Sequence, residues 1–114
     1  MTIYIVQGRY TTDGIKGMIA NPEDRAPAVR ALMEGVGAKL MHYYVTFGEY
    51  DFMTIVEGPA GHEVDVMAAL LAAAGSGGVG HLKTTIAVTS AEAKNAMAGA
   101  KKLSKSFRGA GQKK

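Results

Sequence analysis

The chain has 114 residues, 47% of them hydrophobic and 20% charged, which is the size and balance of one globular domain. It has no cysteine, and this excludes a disulfide framework, a thiolate metal site and a thiol nucleophile. The formal charge of +3 conceals two opposed parts: 10 acids against 7 bases in the first 100 residues, net −3, then six bases and no acid in the last 14. A basic isoelectric point is therefore a property of the tail and no evidence that the body attracts polyanions. No apolar run reaches the roughly 18 residues of a membrane span, and the N-terminus lacks the basic, apolar and small-residue order of a signal peptide, so a cytoplasmic location is expected.

Ile3 to Tyr10 mixes β-branched and aromatic residues over a strand length, with Ile3 and Ile5 on one face and Tyr4 and Val6 on the other. Thr11 to Gly17 breaks any period and reads as a loop. Asp24 is the better helix cap, since a start at Asn21 would carry Pro27 further inside; Val29, Leu32, Met33 and Val36 then form the inward stripe, and Gly37 ends the helix. Lys39 to Phe47 returns to strand chemistry, with Met41, Tyr43, Val45 and Phe47 on one face and Leu40, His42, Tyr44 and Thr46 on the other. Gly48 to Asp51 turns the chain into a third strand, Phe52 to Glu57. A helix from about His62 to Ala74 carries Val64, Met67, Leu71 and Ala74 on one side, with Gly75 at its stop. Glycines 75, 77, 78 and 80 form a flexible turn into a fourth strand, His81 to Val88, with Leu82 and Ile86 on one face.

The order β-α-β-β-α-β predicts an α+β, ferredoxin-like antiparallel sheet with strands in the order 4-1-3-2 and both helices on one face. The uncovered face also carries large apolar side chains, which predicts a homodimer packed sheet against sheet, or a larger ring of such pairs. After this domain of residues 1–89, Thr89-x-x-Glu92 is a capping box that opens an amphipathic, basic C-terminal helix within residues 90–108. Residues 109–114 have too few apolar groups to pack and are expected to be a mobile tail.

Gln7-Gly8-Arg9-Tyr10, Gly14-Ile15-Lys16-Gly17 and Gly48-Glu49-Tyr50-Asp51-Phe52, in that order, resemble the GYD-domain family of small bacterial and archaeal proteins. The glycine, tyrosine and aspartate of the family's name correspond to Gly48, Tyr50 and Asp51, and the similarity spans about Thr2 to Thr89. The resemblance implies a dimeric α/β barrel, related in fold to small cofactor-free monooxygenases, isomerases and ligand-sensing domains, and it implies no particular activity.

Glu49, Tyr50 and Asp51 place two carboxylates around a phenol at a hairpin tip, where a carboxylate could act as general base or could simply tie turn amides. Tyr50, Asp51 and His42 are the catalytic candidates, and Arg9 is tested with them. Arg9, Tyr10, Tyr43, Tyr44 and His42 are candidates to line a cavity for a small aromatic or anionic molecule, with Glu49 beside them. No metal site is expected, because His42 and His81 fall on opposite edge strands, about 14 Å apart at roughly 4.8 Å per strand, and His62 starts a helix. Gly75-Ser-Gly-Gly-Val-Gly lacks the Lys-Ser/Thr and the following helix of a phosphate-binding loop. On the basic helix, Lys101, Lys105, Arg108, Leu103 and Phe107 are the partner-binding candidates, suited to an acidic protein surface or to a neighbouring subunit. Without aromatics among the lysines, nucleic-acid binding would be nonspecific. The residues point to an oligomeric ligand-binding or assembly module with no cofactor; the alternative is a cofactor-independent oxygenase or isomerase acting on an enolisable or phenolic compound.

Overall fold

The computed structural model describes residues 1–113; Lys114, the last residue of the predicted tail, lies outside them. In chain order the elements are β1 (Thr2–Tyr10), α1 (Thr12–Ala20), α2 (Ala26–Glu34), β2 (Lys39–Val45), β3 (Phe52–Gly58), α3 (Glu63–Gly75), β4 (Val79–Ala87) and α4 (Ser90–Ser104). The strands form one antiparallel four-stranded sheet in the order β2-β3-β1-β4. This is the predicted α+β, ferredoxin-like arrangement. Among the described residues no helix is long and apolar enough to cross a membrane.

Alternation along β1 sorts the sheet into two faces. Tyr4, Val6 and Gly8 stand opposite Val56, Thr54 and Phe52 of β3 and point to the helices; Ile3, Ile5 and Gln7 stand opposite Glu57, Ile55 and Met53 on the other face. The core lies on the helical side, where Met33 of α2 and Val66 and Ala69 of α3 pack with Tyr4, Val6, Leu40 and Val56. On the open face Ile3, Ile5, Met53 and Ile55 are only half-buried.

Four local expectations are corrected. Thr11 to Gly17 is not a loop but the start of α1, capped by Thr11, whose hydroxyl accepts the Gly14 N–H at 3.0 Å. Gly14 and Gly17 make this a poor helix by propensity, and it buries no residue. Gly14 is needed for close approach instead: a Cβ there would lie 2.3 Å from the Gly78 carbonyl oxygen. Second, β2 does not alternate strictly. A register shift between Leu40 and His42 brings Leu40 and Tyr43 onto the helical face, opposite Val56 and Thr54, and turns His42 and Tyr44 to the open face. Third, the apolar side of α3 named by spacing faces solvent: Val64, Met67 and Leu71 are exposed, while Val66 and Ala69 are buried. Because α3 is apolar nearly all round, spacing alone could not choose its inward side. Fourth, α2 begins one residue later than expected, with Arg25 at the cap position, although the Asp24 carboxylate does accept the Ala26 N–H at 2.9 Å.

The capping box of α4 is complete: Thr89 and Glu92 each accept the other's backbone N–H, at 3.1 Å. The helix buries none of its residues, and Met97, Leu103 and Phe107 are exposed. The molecule measures 65 × 30 × 21 Å with a radius of gyration of 18.6 Å, against about 13 Å for a compact chain of this length. α4 is thus an arm rather than part of the core. Beyond it, Gly109 and Gln112 close a turn through two mutual hydrogen bonds.

Candidate functional site

A cavity of about 560 Å³ lies between the sheet and helices α1, α2 and α3, inside the usual range for small-molecule sites. Its walls are largely apolar, with Val6, Met33, Leu70 and Leu82 among them. Three neighbouring strands each supply one ring to its lining: Tyr10 of β1, Phe52 of β3 and Tyr43 of β2, with Phe52 5.2 Å from Tyr10 and 6.1 Å from Tyr43 between centroids. The register shift in β2 is what admits Tyr43 to this set. The two tyrosine hydroxyls meet at 2.6 Å. Burial, then the hydrogen bond with Tyr10, push the Tyr43 phenol well above its ordinary value, and the Arg25 charge offsets this only in part. Both effects favour the neutral phenol. At the mouth stand Asp13, Asn21, Glu23 and Arg25, the last paired with Glu23 at 3.0 Å.

The Gly-Glu-Tyr-Asp turn adjoins this cavity but does not line it. Gly48, at φ +148°, occupies the region that favours glycine. The turn is tied down by its backbone: the Thr46 hydroxyl donates to the Tyr50 carbonyl at 2.7 Å, the Thr46 N–H to the Asp51 carbonyl at 2.9 Å, and the Asp51 N–H to the Gly8 carbonyl at 2.8 Å. The Asp51 carboxylate accepts the Tyr10 N–H at 3.0 Å. Tyr10 lies beyond Gly8, the last β1 residue paired with β3, so the side chain of Asp51 serves as its acceptor on that side. Asp51 therefore holds Tyr10, and its neighbour Phe52 enters the cavity lining.

Of the residues expected to share a cavity, Tyr10 and Tyr43 do so. Arg9, His42 and Tyr44 do not. Arg9 follows strand alternation away from Tyr10, and its Nε donates to the Glu49 carbonyl at 3.0 Å. His42 and Tyr44 stack on each other at 5.8 Å on the open face. Tyr50, Asp51 and Glu49 stay together at the turn, apart from His42. His42 and His81 lie on opposite edge strands, as the predicted strand order required, and among the described residues no three metal-ligating side chains cluster. Leu103, Phe107, Lys101, Lys105 and Arg108 are exposed along α4 and just past it. Sequence reasoning missed Asp13, Asn21, Glu23 and Arg25 as mouth residues. The usable signal was the threonine cap ahead of Asp13, which marks a helix start despite the glycines.

The profile of the GYD domain matches residues 4–97. The chain belongs to the GYD-domain family. Three solved structures are similar to this GYD-domain chain. One is described as FFRP-DM1, at 17% identity and a TM-score of 0.46, covering 77% of this chain and 100% of its own. The hypothetical protein PHS023 from Pyrococcus horikoshii has 17% identity and a TM-score of 0.46, covering 78% and 92%. TTHA0845 from Thermus thermophilus has 20% identity and a TM-score of 0.49, covering 78% and 95%. At such scores and identities nothing about this chain's chemistry follows from them. No curated protein matches the chain.

Proposed function

We propose that this GYD-domain protein is a small ligand-binding module, with its ligand held between the sheet and helices α1 to α3. The observation that carries the reading is the largely apolar cavity of about 560 Å³ with the hydrogen-bonded Tyr10–Tyr43 hydroxyl pair in its lining. Binding is favoured over oxygenase or isomerase chemistry. Tyr50, Asp51 and His42 line no part of the cavity, the Asp51 carboxylate is engaged by a backbone amide, and the environment of Tyr43 opposes a phenolate base.

The module works as a homodimer. A second copy packs its sheet on the open face, where Ile3, Ile5, Met53 and Ile55 are only half-buried. Arm α4 then contacts an acidic protein surface through Leu103, Phe107, Lys101 and Arg108. Native mass spectrometry of protein from its own host tests the core of the proposal. A retained small molecule is expected, and Leu70→Trp, which fills the cavity, abolishes it. Protein that carries no small molecule and turns over no candidate substrate would leave the cavity without a role and defeat the reading.

A further inference from the structure

We infer that the cavity selects a neutral, mostly apolar molecule bearing one carbonyl oxygen, which is received by the Tyr10–Tyr43 pair. The inference rests on the ligand-binding reading above and deepens it.

Two phenols carry two hydroxyl hydrogens, and an O···O contact of 2.6 Å accommodates only one between them. Whichever tyrosine donates, the other keeps a hydrogen to offer. The nearby cavity hydroxyl of Thr54 is already directed to the Val6 carbonyl, at 3.4 Å. The pair thus presents one donor beside the apolar walls that Phe52, Val6 and Leu82 supply, and a donor left unsatisfied against such walls is costly. A carbonyl oxygen answers it; a plain hydrocarbon does not. The Tyr43 phenol remains protonated because burial opposes its ionisation.

Charge at the mouth selects against the anionic alternative. Asp13 and Glu23 face Arg25 across the lining, Arg25 is already paired with Glu23 at 3.0 Å, and Asp24 adds a further negative charge acting on Tyr43. A carboxylate ligand would enter a net negative rim, with no further cation among the described residues that line it. The polar element to be recognised is therefore not an anion, and the free hydroxyl hydrogen calls for an acceptor atom, which an ammonium lacks.

The test uses the full chain and three probes of one shape: 2-acetylnaphthalene, 2-ethylnaphthalene and 2-naphthoate. The chain has no tryptophan, so naphthalene fluorescence can be read without an indole background. The ketone should bind up to about tenfold more tightly than the hydrocarbon, the ratio a single hydrogen bond supplies, and the naphthoate more weakly than the ketone. Tyr10→Phe and Tyr43→Phe should each keep most of the ketone preference, because the surviving hydroxyl regains a free hydrogen. Only the double variant should bind ketone and hydrocarbon equally, and its unchanged hydrocarbon affinity shows that the cavity remains. Equal binding of ketone and hydrocarbon by the parent, tighter naphthoate binding, or a ketone preference surviving in the double variant would overturn the carbonyl assignment alone. Failure of all three probes at millimolar concentration would overturn the ligand-binding reading together with it.

Discussion

Asp51 gives the sharpest test of whether the turn that names the family is architecture or chemistry. Its carboxylate accepts the Tyr10 N–H at 3.0 Å and is half-buried, and a hydrogen bond to a charged group contributes about 1.5 to 3 kcal/mol. Partial exposure places the loss for Asp51→Ala at about 2 kcal/mol. Asp51→Asn keeps a neutral acceptor oxygen in nearly the same place, so its loss should be about 1 kcal/mol. An unfolding entropy of about 2.1 cal/mol/K per residue makes 1 kcal/mol worth about 4 °C of Tm in a chain of 114 residues. Differential scanning calorimetry should therefore place Asp51→Ala about 8 °C and Asp51→Asn about 4 °C below the parent. Because Asp51 fixes Tyr10, the alanine variant should also bind cavity ligands more weakly, with the mass by light scattering unchanged from the parent. An alanine variant within about 2 °C of the parent, or an asparagine variant no better than alanine, would refute the reasoning and return Asp51 to the catalytic candidates.

Two glycines of α1 should respond in opposite directions. Gly17→Ala meets nothing within 4 Å and should stabilise by up to about 1 kcal/mol through helix propensity, whereas Gly14→Ala drives a methyl against the Gly78 carbonyl at 2.3 Å and should lower the urea midpoint despite the same propensity gain. If the proposed homodimer forms through the open face, deleting residues 90–114 should leave a dimer by light scattering, while Ile5→Lys on that face should yield a monomer. Hydrogen bonds from the Thr89 amide and hydroxyl hold Glu92 below the usual carboxylate value; its contribution to α4 is complete above that usual value and is lost as pH falls through the depressed one, a loss that Thr89 amide exchange should follow. Tyr43 shifts the other way: above about pH 10 the unfolded chain releases a phenolic proton that the folded chain retains, so urea midpoints should fall with rising pH, and less steeply in Tyr43→Phe.

The strand order followed from the ferredoxin-like order of the elements, and the four strands, α2, the capping box of α4 and the greasy second face of the sheet were legible locally. Each depends on alternation, spacing or a cap within a few residues, as in Ile3 and Ile5 against Tyr4 and Val6. Tyr10 and Tyr43 could be nominated for a cavity because the resemblance implies a fold whose relatives bind ligands in that region, not because of their spacing. The membership of the site could not be read, because it depends on which way each element turns. One shifted residue near Met41 sends Tyr43 inward and Tyr44 outward. The close approach of Gly14 to Gly78 makes a helix where two glycines signalled a loop, and with it creates the cavity mouth. The side of α3 that meets the sheet was decided by packing, since both sides were apolar enough to serve. Local pattern determined what the elements are; tertiary contacts between residues far apart in the chain decided which side chains meet, because only there does shape complementarity outweigh propensity.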